Sequence, residues 1–141
     1  MSDSPGSVVR RFLAAWSDPK PDELGSFFND DAQWVDGPQG IRDGAEAIKV
    51  ELAAQLTAVG GVEVDVKTLI SSGRTVMVEQ VSNSTIRGNP ISSVVMAVFE
   101  LDEWGRIQRW REAYDLKSAT DQIAASATSL GVGDATLPRK S

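Results

Sequence analysis

The sequence predicts one α+β domain shaped like a cone, in which a curved antiparallel sheet carries three N-terminal helices on its concave side. Two observations support this prediction. Three helical patterns and one short strand precede four long alternating strands, and helices segregated from an antiparallel sheet are typical of α+β folds. The 141 residues also suffice for one domain with a hydrophobic core. We place that core at about residues 5–128 and expect residues 129–141 to form a flexible tail.

Caps and apolar spacing predict the helices. Ser4 supplies a capping hydroxyl for the first helix, which continues at helical spacing to about Ser17. Pro21 opens a short second helix, because proline is favoured in the first turn. Asp43 is placed to cap a third helix. A last helix is predicted over residues 117–128, after the strands.

Alternating polar and apolar residues predict the strands. A short strand covers residues 32–36, and residues 40–44 after it are predicted to be a loop. Two longer strands follow at residues 62–68 and 75–86. The last two strands form a hairpin over residues 92–116.

The return strand of this hairpin carries the pattern on which the functional interpretation depends. Period-two alternation puts residues 108, 110, 112 and 114 on one face, which we expect to line the cone. Glu112 then lies between the large aromatic side chains of Trp110 and Tyr114. A carboxylate in that setting is either a paired structural charge or a tuned acid/base group.

Composition restricts the chemistry that is available. The chain has no cysteine and no histidine, so thiolate nucleophiles, Ser-His-Asp machinery and the commonest metal ligands are excluded. We expect no metal and no other cofactor. The net charge of −6 argues against nucleic acid and against an anionic membrane as partners. The first residues do not resemble a signal peptide and no apolar run could span a bilayer, so we expect a cytoplasmic protein.

One apolar surface is left without cover. No helix remains for the outward face of the last two strands, and an exposed apolar sheet face of that size usually indicates a dimer. We therefore expect a homodimer through the residues Val94, Met96, Val98 and Ile107.

Several motifs resemble the limonene-1,2-epoxide hydrolase family of the nuclear-transport-factor-2-like (NTF2-like) superfamily, which also includes SnoaL-like and ketosteroid isomerase-like proteins. The most specific are residues 98–101, 105–107 and 110–115 (VFEL, GRI and WREAYD). Residues 8–16 and 44–48 are similar too. The resemblance implies the cone-shaped fold and, as activity, the opening of epoxides by an Asp-Arg-Asp set.

This sequence matches only part of the catalytic set that the epoxide hydrolase resemblance implies. Glu112 stands where one catalytic Asp is expected and keeps a carboxyl group there. Gln80 stands at the Arg and Ser82 at the other Asp. Trp34 replaces a water-holding Tyr, and Asp36 replaces an Asn.

A second resemblance concerns Asp36. The segment Asp36-Gly37-Pro38 is similar to the general-base aspartate of ketosteroid isomerases, which share the fold. Their oxyanion-hole Tyr and protonated Asp correspond to Phe12 and Ala97, which cannot donate a hydrogen bond. The sequence therefore keeps the carboxylate at the base position of the ketosteroid isomerases but lacks the two groups that form their oxyanion hole.

Asp36 and Glu112 are therefore the candidate catalytic pair, facing one another across an apolar pocket, with Glu112 as acid and Asp36 as base. The structural alternative is that Glu112 bonds Gln80 or Ser82 and that Asp36 caps the Gly37 turn. Two classes of function stay open: a cofactor-free enzyme on a small hydrophobic molecule, which opens epoxides or isomerises, and a binding or scaffold protein. We expect the pocket to be lined by Trp34, Val78, Gln80, Ser82, Val95, Phe99, Trp110 and Tyr114.

Overall fold

A computed structural model describes residues 3–86 and 88–129 of the chain, and the tail expected after residue 129 lies outside them. In these residues the α-helices are α1 (Pro5–Ala14), α2 (Pro21–Gly25), α3 (Ala45–Val59) and α4 (Leu116–Ser129). The strands are β1 (Phe28–Asp36), β2 (Ile41–Asp43), β3 (Glu63–Ser72), β4 (Thr75–Ile86), β5 (Asn89–Leu101) and β6 (Ile107–Tyr114). None of the described helices has the length and apolarity needed to cross a membrane.

The strands form one curved, open sheet in the order β2-β1-β6-β5-β4-β3. The four long strands are antiparallel neighbours, as predicted, and the α+β fold with its cone-shaped sheet is confirmed. β1 is the exception, because it runs parallel to β6. The loop predicted for residues 40–44 is wrong: Ile41–Asp43 is β2, which pairs with the end of β1.

The helix ends follow local hydrogen bonds. The Oγ of Ser4 accepts a bond from the Ser7 amide at 3.2 Å and caps α1, and a 3-10 turn then carries the chain to Ser17. Asp43 does not cap α3, because its Oδ1 instead accepts a bond from Gln33 Nε2 at 2.9 Å. Gly44, at φ 91°, takes the N-cap position without a side-chain bond.

Aromatic rings fill one part of the concave face. Phe12 of α1 has no exposed surface and makes edge contacts with Phe28, Phe99 and Trp110, with ring centroids 5.1–5.9 Å apart. Trp34 stacks on Trp110 at 4.6 Å. Such close aromatic packing contributes about 0.5–1.5 kcal/mol per pair beyond area burial. The hydrophobic core thus occupies this part of the cone and leaves the rest for a cavity.

A bulge in β6 changes which residues face the core. Glu100 pairs with Arg109, but Leu101 pairs with Ile107, so Gln108 is the extra residue. The alternation is reversed at this point, and Ile107 is fully buried. The prediction that Ile107 belongs to the outward apolar face is therefore wrong. Val94 and Met96 do lie on that face, 58% and 51% exposed.

Candidate active site

The parallel pairing of β1 with β6 brings the two candidate catalytic residues together. Asp36 and Glu112 are direct cross-strand partners, and their side chains are hydrogen-bonded to each other. They lie side by side on neighbouring strands, and not across the pocket as the sequence suggested. The same-face placement that strand alternation predicts is retained, because both point into the cone.

Neutral donors surround the Asp36 carboxylate. Tyr114 Oη donates to its Oδ1 at 3.0 Å, and Gln55 Nε2 donates to its Oδ2 at 2.9 Å. Gln39 Nε2 donates in turn to Tyr114 Oη at 2.5 Å, which leaves the phenol proton free to point at Asp36. Burial raises the pKa of Asp36, and the bonds from Tyr114 and Gln55 work against that rise.

Glu112 has far less support for a negative charge. The residue is half-buried, and its carboxyl group accepts one bond, from Trp34 Nε1 to Oε1 at 2.9 Å. Burial raises the pKa of Glu112 to about 8, the Trp34 bond opposes the rise, and the charge of Asp36 adds to it. At neutral pH we therefore assign the proton of the pair to Glu112 and the charge to Asp36, which receives more hydrogen bonds.

The carboxyl pair opens on a cavity of about 250 Å³. Seven of the ten predicted site residues line this cavity: Asp36, Gln80, Ser82, Val95, Trp110, Glu112 and Tyr114. The other three, Trp34, Val78 and Phe99, are 0–3% exposed and belong to the hydrophobic core. Phe12 of α1 packs directly on Phe99 and so occupies that part of the cone.

Other parts of the chain complete the cavity wall. Gln55 and Val59 reach it from α3, Gln39 from the turn after β1, and Ala119 and Ile123 from α4. The sequence contains a signal for Gln55, a polar residue within the apolar stripe of α3 between Leu52 and Leu56. The contribution of α4 has no comparable signal, because α4 reaches the cavity only through the tertiary fold.

The structural alternative for the two carboxyl groups is not what the structure shows. Glu112 bonds Trp34 and Asp36, whereas the Gln80 amide donates to Ser82 Oγ at 3.1 Å. The Asp36 side chain makes no cap bond to the 3-10 turn at Gly37. Within the described residues, no group of three or more His, Cys, Asp or Glu side chains is arranged to hold a metal ion.

Comparison with known proteins places the chain in a family. The SnoaL-like domain model matches residues 9–110. No functionally curated protein matches the chain.

Solved structures share the fold at low sequence identity. One is a hypothetical protein with a ketosteroid isomerase-like fold from Catenulispora acidiphila, in complex with trimethylamine (25% identity, TM-score 0.75, 83% of this chain and 92% of that one). Another is an LEH-like epoxide hydrolase from M. tuberculosis (23%, TM-score 0.75, 91% and 95%). A third is an epoxide hydrolase/cyclase-like enzyme with a role in pyran ring formation in the polyether salinomycin (18%, TM-score 0.72, 81% and 92%).

The match of the domain model covers most of the chain, and the structural likenesses confirm the fold that the motifs imply. This protein belongs to the SnoaL-like domain family of the NTF2-like superfamily.

Proposed function

We propose that the protein is a cofactor-free enzyme that opens the epoxide ring of a small hydrophobic substrate by acid/base catalysis. One observation carries this proposal: the side chains of two neighbouring carboxyl residues, Glu112 and Asp36, line the same largely apolar cavity, where burial raises the pKa of both groups. Epoxide opening needs a neutral carboxyl group as the acid for the departing oxygen and a charged carboxylate as the base for the attacking hydroxyl.

The proton transfers balance over one turnover. As the hydroxyl oxygen of the nucleophile bonds to a ring carbon, Asp36 takes the proton of that hydroxyl. The opposite C–O bond breaks, and Glu112 gives its proton to the departing oxygen. Asp36 is then neutral and Glu112 charged, and their direct hydrogen bond returns the proton to Glu112. The nucleophile is water, which yields a diol, or a hydroxyl of the substrate, which yields a cyclic ether.

The contacts also support acid/base chemistry at this site without the Arg that the epoxide hydrolase resemblance leads one to expect. That Arg would bridge two carboxyl groups, and Gln80 stands in its place. Here Asp36 and Glu112 touch directly, so no bridging cation is needed between them. Tyr114 and Gln55 are positioning residues that keep Asp36 charged and oriented.

The experiment that tests this function is a pH profile of kcat/KM on limonene oxide and styrene oxide, in ¹⁸O-labelled water. We expect a bell. The rate falls as the pH rises through about 8, because Glu112 loses its proton, and falls on the acid side as Asp36 becomes neutral. Diols carrying one ¹⁸O atom would identify water as the nucleophile. Absence of turnover on these and on hydroxylated epoxides would contradict the proposal and favour a ligand-binding or scaffold protein.

A proton-shuttling isomerase is the second candidate. Asp36 lies where the ketosteroid isomerase resemblance places the base. Glu112, the acid assigned from the sequence, could take the place of the missing electrophile, since a neutral carboxyl group can donate to an enolate oxygen. Isomerisation of a β,γ-unsaturated ketone, with no ¹⁸O incorporation and no epoxide turnover, would favour this function.

We further propose that a second copy of the chain covers the outward face of the sheet. Ile70, Met77 and Met96 line a shallow groove there and are 51–64% exposed. Glu79 and Arg111 flank the same groove, so a twofold axis could pair each with the opposite charge on the other copy.

Met96→Arg tests this interface. We expect the wild-type protein to sediment as a dimer at micromolar concentration and M96R as a monomer, because the substitution buries an unpaired charge. Val50→Arg is the matched control: Val50 is 71% exposed on α3, so V50R should remain a dimer. A monomeric wild-type protein, or a dimeric M96R, would refute the interface.

A further inference from the structure

Gln80 is a buried polar residue whose hydrogen bonds are incomplete. The side chain is 4% exposed on β4 and lines the cavity. Its Nε2 donates to Ser82 Oγ, but its Oε1 has no partner among the described residues. A buried polar atom without a hydrogen bond is energetically unfavourable. Such a cost at the wall of a binding cavity indicates that a ligand supplies the missing bond.

The inner face of β4 changes from apolar to polar where it reaches the cavity. Val76 and Val78 are apolar and belong to the core, whereas Gln80, Ser82 and Ser84 follow them on the same face. Ser93 of the neighbouring β5 pairs with Ser82 and lines the cavity as well. We call Gln80, Ser82, Ser84 and Ser93 the hydroxyl wall.

The β4 residues of the hydroxyl wall, Gln80, Ser82 and Ser84, lie in the same sheet as the carboxyl pair but not on a neighbouring strand. β4 is two strands from β6, so the two backbones are roughly 10 Å apart at a spacing of about 4.8 Å per strand. No Lys or Arg is among the residues that line the cavity in the described part of the chain. The wall therefore suits a neutral polar group and not a carboxylate or a phosphate.

A second buried polar atom also needs a hydrogen-bond acceptor on the ligand. Trp110 Nε1 is buried and has no hydrogen-bond partner within residues 3–86 and 88–129, and the Trp110 side chain lines the same cavity. Nε1 can only donate, so its partner must be an acceptor such as an ether or carbonyl oxygen. Besides the carboxyl pair, the cavity wall thus carries two polar atoms that need a hydrogen-bond partner, Gln80 Oε1 and Trp110 Nε1.

We propose that the substrate is an epoxide that also carries a hydroxyl group a few bonds from the ring, and that this hydroxyl binds at Gln80 and Ser82. The inference rests on the proposed function for the epoxide and on the hydroxyl wall for the alcohol. A hydroxyl both donates and accepts, so it satisfies Gln80 in either orientation of the amide. A plain hydrocarbon epoxide leaves the Gln80 oxygen unsatisfied and binds more weakly.

Binding of two matched probes without an epoxide tests the hydroxyl site apart from any turnover. Menthol and menthane share a carbon skeleton and differ by one hydroxyl, and Trp110 and Trp16 at the cavity report binding by fluorescence. We expect the wild-type protein to bind menthol about tenfold more tightly than menthane. Gln80→Leu should remove this preference, and Ser82→Ala should weaken it while disturbing the fold less. Gln108→Leu, the same change at an exposed site on β6, should keep it.

The outcomes separate this inference from the proposed function. Asp36→Asn and Glu112→Gln should keep the menthol preference, because neither side chain belongs to the hydroxyl wall and neither β1 nor β6 is a neighbour of β4. Equal affinity of the wild-type protein for the two probes, or an unchanged preference in folded Q80L and S82A, would overturn the hydroxyl site even if epoxides are turned over. A clear preference together with no epoxide turnover would support the site and overturn only the proposed reaction.

Discussion

Glu112→Gln and Asp36→Asn each lower kcat by roughly 10²–10⁴ on any epoxide that the wild-type protein turns over, which is the usual contribution of a general acid or base. The amide at residue 112 keeps the bond from Trp34 Nε1 but has no acidic proton for the departing oxygen. The amide at residue 36 can still accept the bond from Tyr114 Oη but cannot take a proton from the nucleophile. Steady-state kinetics on the purified variants measure both effects.

A matched control and a second readout distinguish catalysis from structure. Glu100→Gln makes the same change in a carboxylate of β5 that pairs with Arg109 and Arg111, so it should retain wild-type kcat. The alkaline limb near pH 8 should vanish from the residual activity of E112Q, because that limb belongs to Glu112. Wild-type turnover in folded E112Q and D36N would show that the pair is structural.

The second large effect is on stability. The pKa of Glu112 is about 8 in the folded protein and near its ordinary 4.5 when unfolded, so the folded state holds a proton that the unfolded state has lost between these values. The contribution of Glu112 to stability is therefore greatest below about pH 4.5, falls as the pH rises and levels off above about 8. At 1.36 kcal/mol per pKa unit, the loss is at most roughly 5 kcal/mol. Burial raises the pKa of Asp36 too, which acts in the same direction.

Urea unfolding at pH 5, 7 and 8.5 measures this dependence. E112Q has no group to titrate at residue 112, so its stability should change much less over that range than that of the wild-type protein. The variant should also be the more stable of the two at pH 8.5, although it is the less active. A wild-type protein whose stability is constant or rises between pH 5 and 8.5 would contradict the assignment of the proton to Glu112.

Much of the fold was predictable because each element carries its own local signal. Ser4 and Pro5 mark the start of α1, and alternation marks the four long strands. The hairpin motif also placed Glu112 and Tyr114 on the concave face. These predictions needed only periodicity, caps and one resemblance.

The rest depended on long-range pairing that leaves no local signal. β1 pairs in parallel with a strand more than 70 residues away, and only that pairing sets Asp36 beside Glu112. The bulge at Gln108 reverses the alternation and moves Ile107 into the core. β2 has only three residues and was therefore too short to recognise as a strand. Gln55 joins the site through the packing of α3 on β1, which no spacing rule specifies.

The most direct test of the account is a pH titration of the side-chain carboxyl carbons by NMR, in protein labelled with ¹³C at glutamate and aspartate. We expect that one glutamate titrates near pH 8 and that this resonance is missing from E112Q. Asp36 should titrate above the ordinary aspartate range but below Glu112. If every glutamate in the folded protein titrates near 4.5, Glu112 is charged at neutral pH, it cannot act as the acid, and the proposed mechanism is wrong.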